Sequence, residues 1–244
     1  MMTGENRFVF VAPMFNASDT LPQMLHSLCG QSYENWRLIL LDDVSSDEHW
    51  ARASRTLDAF DKLEGKGRID FVRNTEKKWE VANVLHGLTF CAPDDIVCRI
   101  DADDWLTDLD ALAMLNAVYT NTGCDILWTA HRWGYSDKNI SAPMLDSADP
   151  YKHPWVSSHL KTFRKSLLNG VNDQNFRGED GNYIRRAGDQ AIYLPALHNS
   201  RKRVFLPRVM YHYTINDVPE TYQTDDARFQ RDEALFLRSR GYVR

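Results

Sequence analysis

The sequence predicts an α/β fold of the Rossmann type: a twisted, mostly parallel sheet with helices packed on its faces. Three observations predict it. Short apolar, β-favouring runs at Phe8 to Ala12, at Trp36 to Leu41 (broken only by Arg37) and at Ile96 to Cys98 suit strands buried on both faces. Between them, stretches of about ten residues carry apolar side chains at helical spacing, the alternation that builds βαβ units. Two of the runs end in carboxylates, Asp42-Asp43 and Asp101-Ala102-Asp103-Asp104. In a parallel sheet such ends share one edge, where open α/β sheets bind ligands.

The elements follow in order. The first strand, FVFVA, is closed by Pro13, and Met14 to Asp19 forms a polar turn. Leu21, Met24, Leu25 and Leu28 then mark a helix that tolerates Pro22 in its first turn and stops at Gly30. WRLILL, from Trp36, is the second strand. Trp50, Ala53, Leu57 and Phe60 give a helical stripe that closes near Gly65 and Gly67, before a shorter strand at Arg68 to Val72. Val81, Val84, Leu85 and Leu88 line the helix before the fourth strand at Ile96. After the acidic cluster, Leu109, Leu112 and Leu115 begin a helix that runs to about Asn121 and Gly123, and DILWT (Asp125 to Thr129) reads as a fifth strand. From Ala130 the pattern changes, and residues 130 to 154 read as loop. A β-favouring piece at His159 to Phe163 precedes a short helix near Lys165 to Leu168 and a polar stretch from Asn169 to Asn182. A helix around Asp189 to His198 encloses Pro195. Val204-Phe205-Leu206 and Met210 to Ile215 read as two further strands, and Asp225 to Arg240 as a terminal helix. The whole reads as one domain over 1–244. Residues 1–129 are a nucleotide-type half, and 130–244 complete one site on the same sheet.

Composition narrows the function. The apolar fraction of 43% and charged fraction of 26% are ordinary for a globular protein, and a net charge of −5 excludes a general basic field for nucleic acid. Cys29, Cys91, Cys98 and Cys124 form no C-x-x-C pair, so they read as buried reduced thiols, without a zinc or redox motif. MMTGENR lacks the apolar core of a signal peptide, and no run reaches membrane-spanning length. The expectation is a cytoplasmic protein, or one peripheral to a membrane.

Three carboxylates within four residues, Asp101, Asp103 and Asp104, repel one another. A hard divalent cation that itself holds a diphosphate would offset this; an acidic turn before a helix is the alternative. No glycine-rich phosphate loop follows the first strand, so a bound cation is the expected counter-charge. Other residues carry two readings each. Lys77 and Lys78 read as a solvated pair that could instead meet phosphate. His212, within Tyr-His-Tyr, is a further metal ligand or a packed ring. Trp155, Ser157, Ser158 and His159 line an acceptor pocket or form a core tryptophan with a turn. Arg201-Lys202-Arg203 with Arg228, Arg231, Arg238 and Arg240 are solvated faces or a basic surface for a phosphate-bearing acceptor.

VFVAPMFNASDTLPQMLHSLCGQSYENWRLILLDDVSSD resembles the opening of a family 2, GT-A-fold glycosyltransferase. The likeness lies in the order strand, Pro, aromatic, Asn; a Leu-rich helix; a Gln-Ser-Tyr turn; and a strand ending Asp-Asp-x-Ser. RIDADDWL is similar to the D-x-D motif of that family, and NTEKKWEVANVLHGL stands where its linker helix carries an Asn. WVSSHLKTFRKSLL and GDQAIYLPAL resemble its acceptor half. The resemblance implies a GT-A-like fold and transfer of a sugar, with inversion, from a nucleotide-sugar, foremost a UDP-sugar, to an acceptor hydroxyl, foremost of a glycan. It places Pro13, Phe15, Asn16, Asp42, Asn83 and Asp101 at the nucleotide. Mn²⁺ or Mg²⁺ falls to Asp103 and Asp101, with His212 as a further ligand, and Trp155, Ser158, His159 and Asp104 fall at sugar or acceptor. Asp189 falls at the catalytic carboxylate, usually written Glu-Asp, with Gly188 in place of the first acid; Glu179 or Asp180 would be the next candidate base. Three alternatives stay open: transfer to hydroxylated bases of DNA, a sugar-1-phosphate nucleotidyltransferase, and a non-catalytic sugar-nucleotide-binding module.

Overall fold

The structure, a computed structural model, describes residues 5–62, 67–136, 138–215 and 224–244. The elements are β1 (Phe8–Met14), α1 (Leu21–Cys29), β2 (Trp36–Asp42), α2 (Asp47–Phe60), β3 (Ile69–Arg73), α3 (Trp79–Leu88) and β4 (Ile96–Arg99). They continue with β5 (Trp105–Leu106), α4 (Ala111–Thr122), β6 (Ile126–Trp133), β7 (Lys161–Arg164), α5 (Gly188–Asn199), β8 (Arg203–Tyr213) and α6 (Asp225–Arg240). All eight strands join one mixed sheet in the order β3-β2-β1-β4-β7-β6-β8-β5. The first four are mutually parallel, β7 is antiparallel to both its neighbours, and β6 and β8 are parallel.

The continuous apolar character of β1 follows from its place between β2 and β4, with helices above and below. Successive side chains of a strand point to opposite faces. Phe8, Phe10 and Ala12 enter one core with Met24, Leu25, Leu57, Leu112 and Leu115 from α1, α2 and α4. Val9 and Val11 enter the other with Val81, Val84 and Ile192 from α3 and α5. Gly87 permits the close approach of α3 to β1, because a Cβ there would lie 2.5 Å from Val11 Cγ1.

Three sequence expectations need correction. β6 extends to Trp133, so residues 130–133 are strand where a loop is expected. Val204 to Leu206 and Met210 to Tyr213 are not two strands but parts of the single β8, which ends before Thr214 and pairs with β6 through register shifts at Thr129/Ala130 and Ala130/His131. Pro207 and Arg208 stand exposed at that irregularity, where a proline costs no ladder bond. β5, two residues long, is too short to leave a periodic signal and pairs antiparallel with β8. The expected helix stop at Gly65 lies outside the described residues.

Because β1, β2 and β4 are parallel, Pro13, Asp43 and Asp101 emerge at one edge of the sheet. The site is built on that edge.

Candidate active site

A cavity of about 670 Å³ opens at this edge. Its floor carries Pro13, Phe15, Asp43, Asp101 and Asp103, and α3 closes one side with Trp79, Glu80 and Asn83. The loop before α5 adds Arg185 and Arg186, while α6 contributes Asp226 and Gln230.

Of the Asp42-Asp43 pair, Asp43 lines the cavity; Asp42 is fully buried beneath it. Asp43 accepts from the backbone N–H of Lys78 (2.8 Å) and Trp79 (2.9 Å) and from Asn74 Nδ2 (3.0 Å). Burial would raise its pKa, but these bonds, together with the Asn83 amide, outweigh burial and hold the carboxyl below its ordinary value. Asp43 thereby fixes the turn that starts α3 and hangs Lys77 and Trp79 over the cavity. Asp42 Oδ2 accepts from Ser45 N (3.2 Å), while its Oδ1 is buried without a hydrogen-bond partner. Asn16, at φ 51°, braces the two loops: its N donates to Ser45 Oγ (2.9 Å) and its Oδ1 accepts from Ser46 N (3.0 Å). Asn83 donates to Trp79 O (2.8 Å) and accepts from Asn74 (2.6 Å).

Lys77, Arg185 and Arg186 line the cavity beside Asp43 and Asp226. The Lys77 ammonium lies 3.0 Å from the centre of the Phe15 ring and 3.5 Å from Asp43, so it lines the cavity and does not simply face solvent. Arg185 and Arg186 place guanidinium carbons 5.7 and 5.2 Å from the centre of the Trp79 ring, and Arg186 also pairs with Asp226 (2.7 Å). The aromatic contacts orient these cations.

The acidic turn is crowded with carboxylates. Asp104 accepts from Tyr211 Oη (2.7 Å) and Thr214 N (2.7 Å), and burial, then the charges of Asp101 and Asp103, push its pKa up to about 8. Asp101, Asp104 and His159 offer ligand atoms within 4.8 Å of one another. Two oxygens and an imidazole fit Mn²⁺, and a cation there would offset the mutual repulsion of the carboxylates. Burial and the Lys161 ammonium push His159 well below its ordinary pKa, so its ring is neutral.

Asp189 stands in the first turn of α5, and its Oδ2 lies 2.7 Å from Lys161 Nζ and 3.8 Å from His159 Nε2. Burial would raise its pKa. The Lys161 ammonium foremost, with the Arg99 guanidinium, outweighs that and holds the carboxyl well below the usual carboxylate range. Arg99 and Lys161 are register partners across β4 and β7, and both side chains are buried. Arg99 reaches Glu80 Oε1 (2.8 Å) and Asp101 Oδ1 (3.2 Å). Burial raises the Glu80 carboxyl above its ordinary value in spite of Arg99.

The structure brings Pro13, Phe15, Asn83, Asp101 and Asp103 to one cavity; Asp104 and His159 stand within ligand distance of Asp101, and Asp189 stands beside His159. It does not bring His212 there. Tyr211 and Tyr213 contact His159, whereas His212, on the opposite face of β8, stacks on Trp105 at 3.7 Å between ring centres. A strand alternates faces, so Tyr-His-Tyr can present only the tyrosines to this site. Trp155 packs edge-on against Tyr193 in the core; Ser158 is buried. Three of the expected basic residues are engaged with backbone carbonyls. Arg203 donates to the carbonyls of Leu145 and Ala148, Arg238 to His153 O, and Arg240 to those of Arg177 and Asn175. Sequence reasoning missed Glu80, Arg99, Lys161, Arg185 and Arg186. The available signal was a charge inside an apolar strand: Arg99 closes IVCR and Lys161 opens KTFR.

The model of glycosyl transferase family 2 matches residues 9–177. The putative glycosyltransferase EpsE of Bacillus subtilis (strain 168) is 33% identical over 91 residues, which make up 37% of this chain and 31% of EpsE. Among solved structures, S. aureus TarS is similar with a TM-score of 0.65 and 20% identity, over 86% of this chain and 37% of TarS. TarS 1–349 in complex with UDP-GlcNAc gives a TM-score of 0.64 at 16% identity, over 89% of this chain and 61% of that one. The mannosyltransferase PcManGT from Pyrobaculum calidifontis, in complex with GDP-Man and Mn²⁺, gives 0.61 at 17%, over 89% and 59%. The chain thus spans about a third of the length of EpsE and TarS, and at these identities the structural likeness is one of fold, the GT-A-like α/β architecture.

Proposed function

The chain belongs to glycosyl transferase family 2, and from that premise we propose that it transfers a sugar from a nucleotide-sugar, a UDP-sugar foremost, to a hydroxyl of a glycan acceptor with inversion. The observation that carries the reading is the position of Asp189. Its ionised carboxylate, paired with Lys161, stands beside His159, which itself adjoins the Asp101–Asp104 cluster.

The residues divide the work along the cavity. The nucleoside lies over Pro13, Phe15 and Asn83; Asp42, buried beneath the cavity, is out of reach of the base. The diphosphate meets Lys77, Arg185 and Arg186, and the cation side at Asp101 and Asp103. Mn²⁺ or Mg²⁺ would be held by Asp101 and Asp103, with Asp104 and His159 beside them. When bound, it supplies Lewis-acid stabilisation of the departing diphosphate. Asp189 accepts the acceptor hydroxyl's proton as the new C–O bond forms. Lys161 keeps that carboxylate ionised and aimed, so its depressed pKa trades basicity for complete ionisation at neutral pH. Asp104, bonded by Tyr211 and Thr214, anchors the acidic turn.

Calorimetric titration tests the donor site. UDP, UDP-GlcNAc, GDP and GDP-mannose are each titrated with and without Mn²⁺. Binding of one nucleotide pair, strengthened at least about tenfold by the metal, is expected. Failure of all four to bind under either condition contradicts the reading.

A further inference from the structure

Gly188 and Glu80 share one space. A Cβ built on Gly188 would lie 2.3 Å from both Cδ and Oε2 of Glu80 and 2.7 Å from Oε1. No side chain fits at position 188 while Glu80 stays in place. The Glu80 carboxylate reaches this spot from α3, sits against the first turn of α5, and is anchored through Oε1 to the buried Arg99. It also lines the cavity, with its side chain 26% exposed. Arg99 thus holds two carboxylates, Glu80 and Asp101, toward the same opening.

The cavity carries Lys77, Arg185 and Arg186, with Lys77 paired to Asp43 and Arg186 to Asp226. Glu80 and Asp101 also line it, and the cation that neighbours both, Arg99, is buried and already turned onto them. Carboxylate oxygens accept hydrogen bonds, so a ligand group bound there must bring donors without negative charge. A polyhydroxylated ring meets that demand, and a phosphate does not.

We propose that Glu80 is a specificity-determining residue for the transferred group, its carboxylate accepting a hydrogen bond from a sugar hydroxyl, and that Gly188 exists to admit it. The proposal rests on the glycosyltransferase reading above. A nucleoside diphosphate without its sugar lacks the hydroxyl that this carboxylate would accept from. The residue therefore distinguishes nucleotide-sugar from nucleotide.

The test is the ratio of affinities for nucleotide-sugar and free nucleotide in Mn²⁺, using UDP-GlcNAc with UDP and GDP-mannose with GDP. Glu80→Gln keeps the shape and removes the charge. It should weaken the sugar-bearing ligand about tenfold or more, the range of a lost hydrogen bond to a charged group, while the bare nucleotide stays within about twofold. Gly188→Ala, which displaces Glu80 without touching its chemistry, should change the ratio in the same direction. Thermal melting accompanies both variants. An unchanged ratio in Glu80→Gln, or equal loss for both ligands with a lowered Tm, overturns the proposal and leaves Glu80 a strut for Arg99. A wild-type protein that binds none of the four ligands overturns the glycosyltransferase reading, and the proposal with it.

Discussion

Asp189→Asn is expected to leave nucleotide affinity within about twofold while transfer falls about 10²- to 10⁴-fold, the loss that follows removal of a general base. The substitution keeps the shape of the side chain and removes only its basicity. It also leaves the buried Lys161 ammonium facing a neutral amide, so the variant loses stability and rates are compared well below its Tm. The pH dependence separates a base from a strut. Asp189 is depressed below the usual carboxylate range, chiefly by Lys161 against the opposing effect of burial. A base works above its pKa, so wild-type transfer shows no acid limb from Asp189 in the ordinary carboxylate range near pH 4. Lys161→Met removes the ammonium and lets burial raise the carboxyl, so an acid limb moves up into the measurable range. Near-wild-type turnover in Asp189→Asn would move the base elsewhere, with Glu179 and Asp180 next to be tried.

Asp103→Ala has the second large effect. The account gives Asp103 the cation and hence the diphosphate, so Mn²⁺-dependent donor affinity should fall about 100-fold or more, beyond the usual loss for an outer-shell partner of a metal. The fold should persist. Asp103 lines the cavity at a strand end and stays outside both apolar cores, and its removal thins a cluster of like charges. Circular dichroism and thermal melting check the fold, and the calorimetric titration reads the affinity. Unchanged metal-dependent affinity would remove Asp103 from the site.

The half of the fold built from βαβ units was legible because each rule agreed with the next. FVFVA is apolar throughout, and WRLILL and IVCR are apolar but for Arg37 and Arg99, because β1, β2 and β4 are covered on both faces, and parallel pairing carries the strand ends to one edge. The antiparallel half was less legible. β8 is one strand, yet its exposed Pro207 and Arg208 at the register shift interrupt the apolar pattern and read as a gap between two strands. In the site, Asp101 and Asp103 could be named because carboxylates crowd a strand end, and Asp189 because GDQAIYLPAL resembles the acceptor half of the family. Asp42 and Asp43 are adjacent, and only the turn into α3 decides that Asp43 caps that turn while Asp42 is buried. His212 was misplaced by one step of strand alternation, which turns it onto Trp105 and gives Tyr211 and Tyr213 to the site. Arg99, Lys161 and Glu80 depend on the pairing of β4 with β7 and the contact of α3 with α5. Those are long-range features with no local pattern.

The central claim is that Asp101, Asp103 and Asp189 face one reacting sugar, and turnover tests it most directly. Nucleoside diphosphate release is measured from UDP- and GDP-sugars with wild-type protein, with and without Mn²⁺, in the presence of a glycan fraction as acceptor. The account predicts release that requires the metal, rises on addition of the glycan, and is abolished by Asp103→Ala and by Asp189→Asn. Release from no donor, or release that both variants retain, would contradict it.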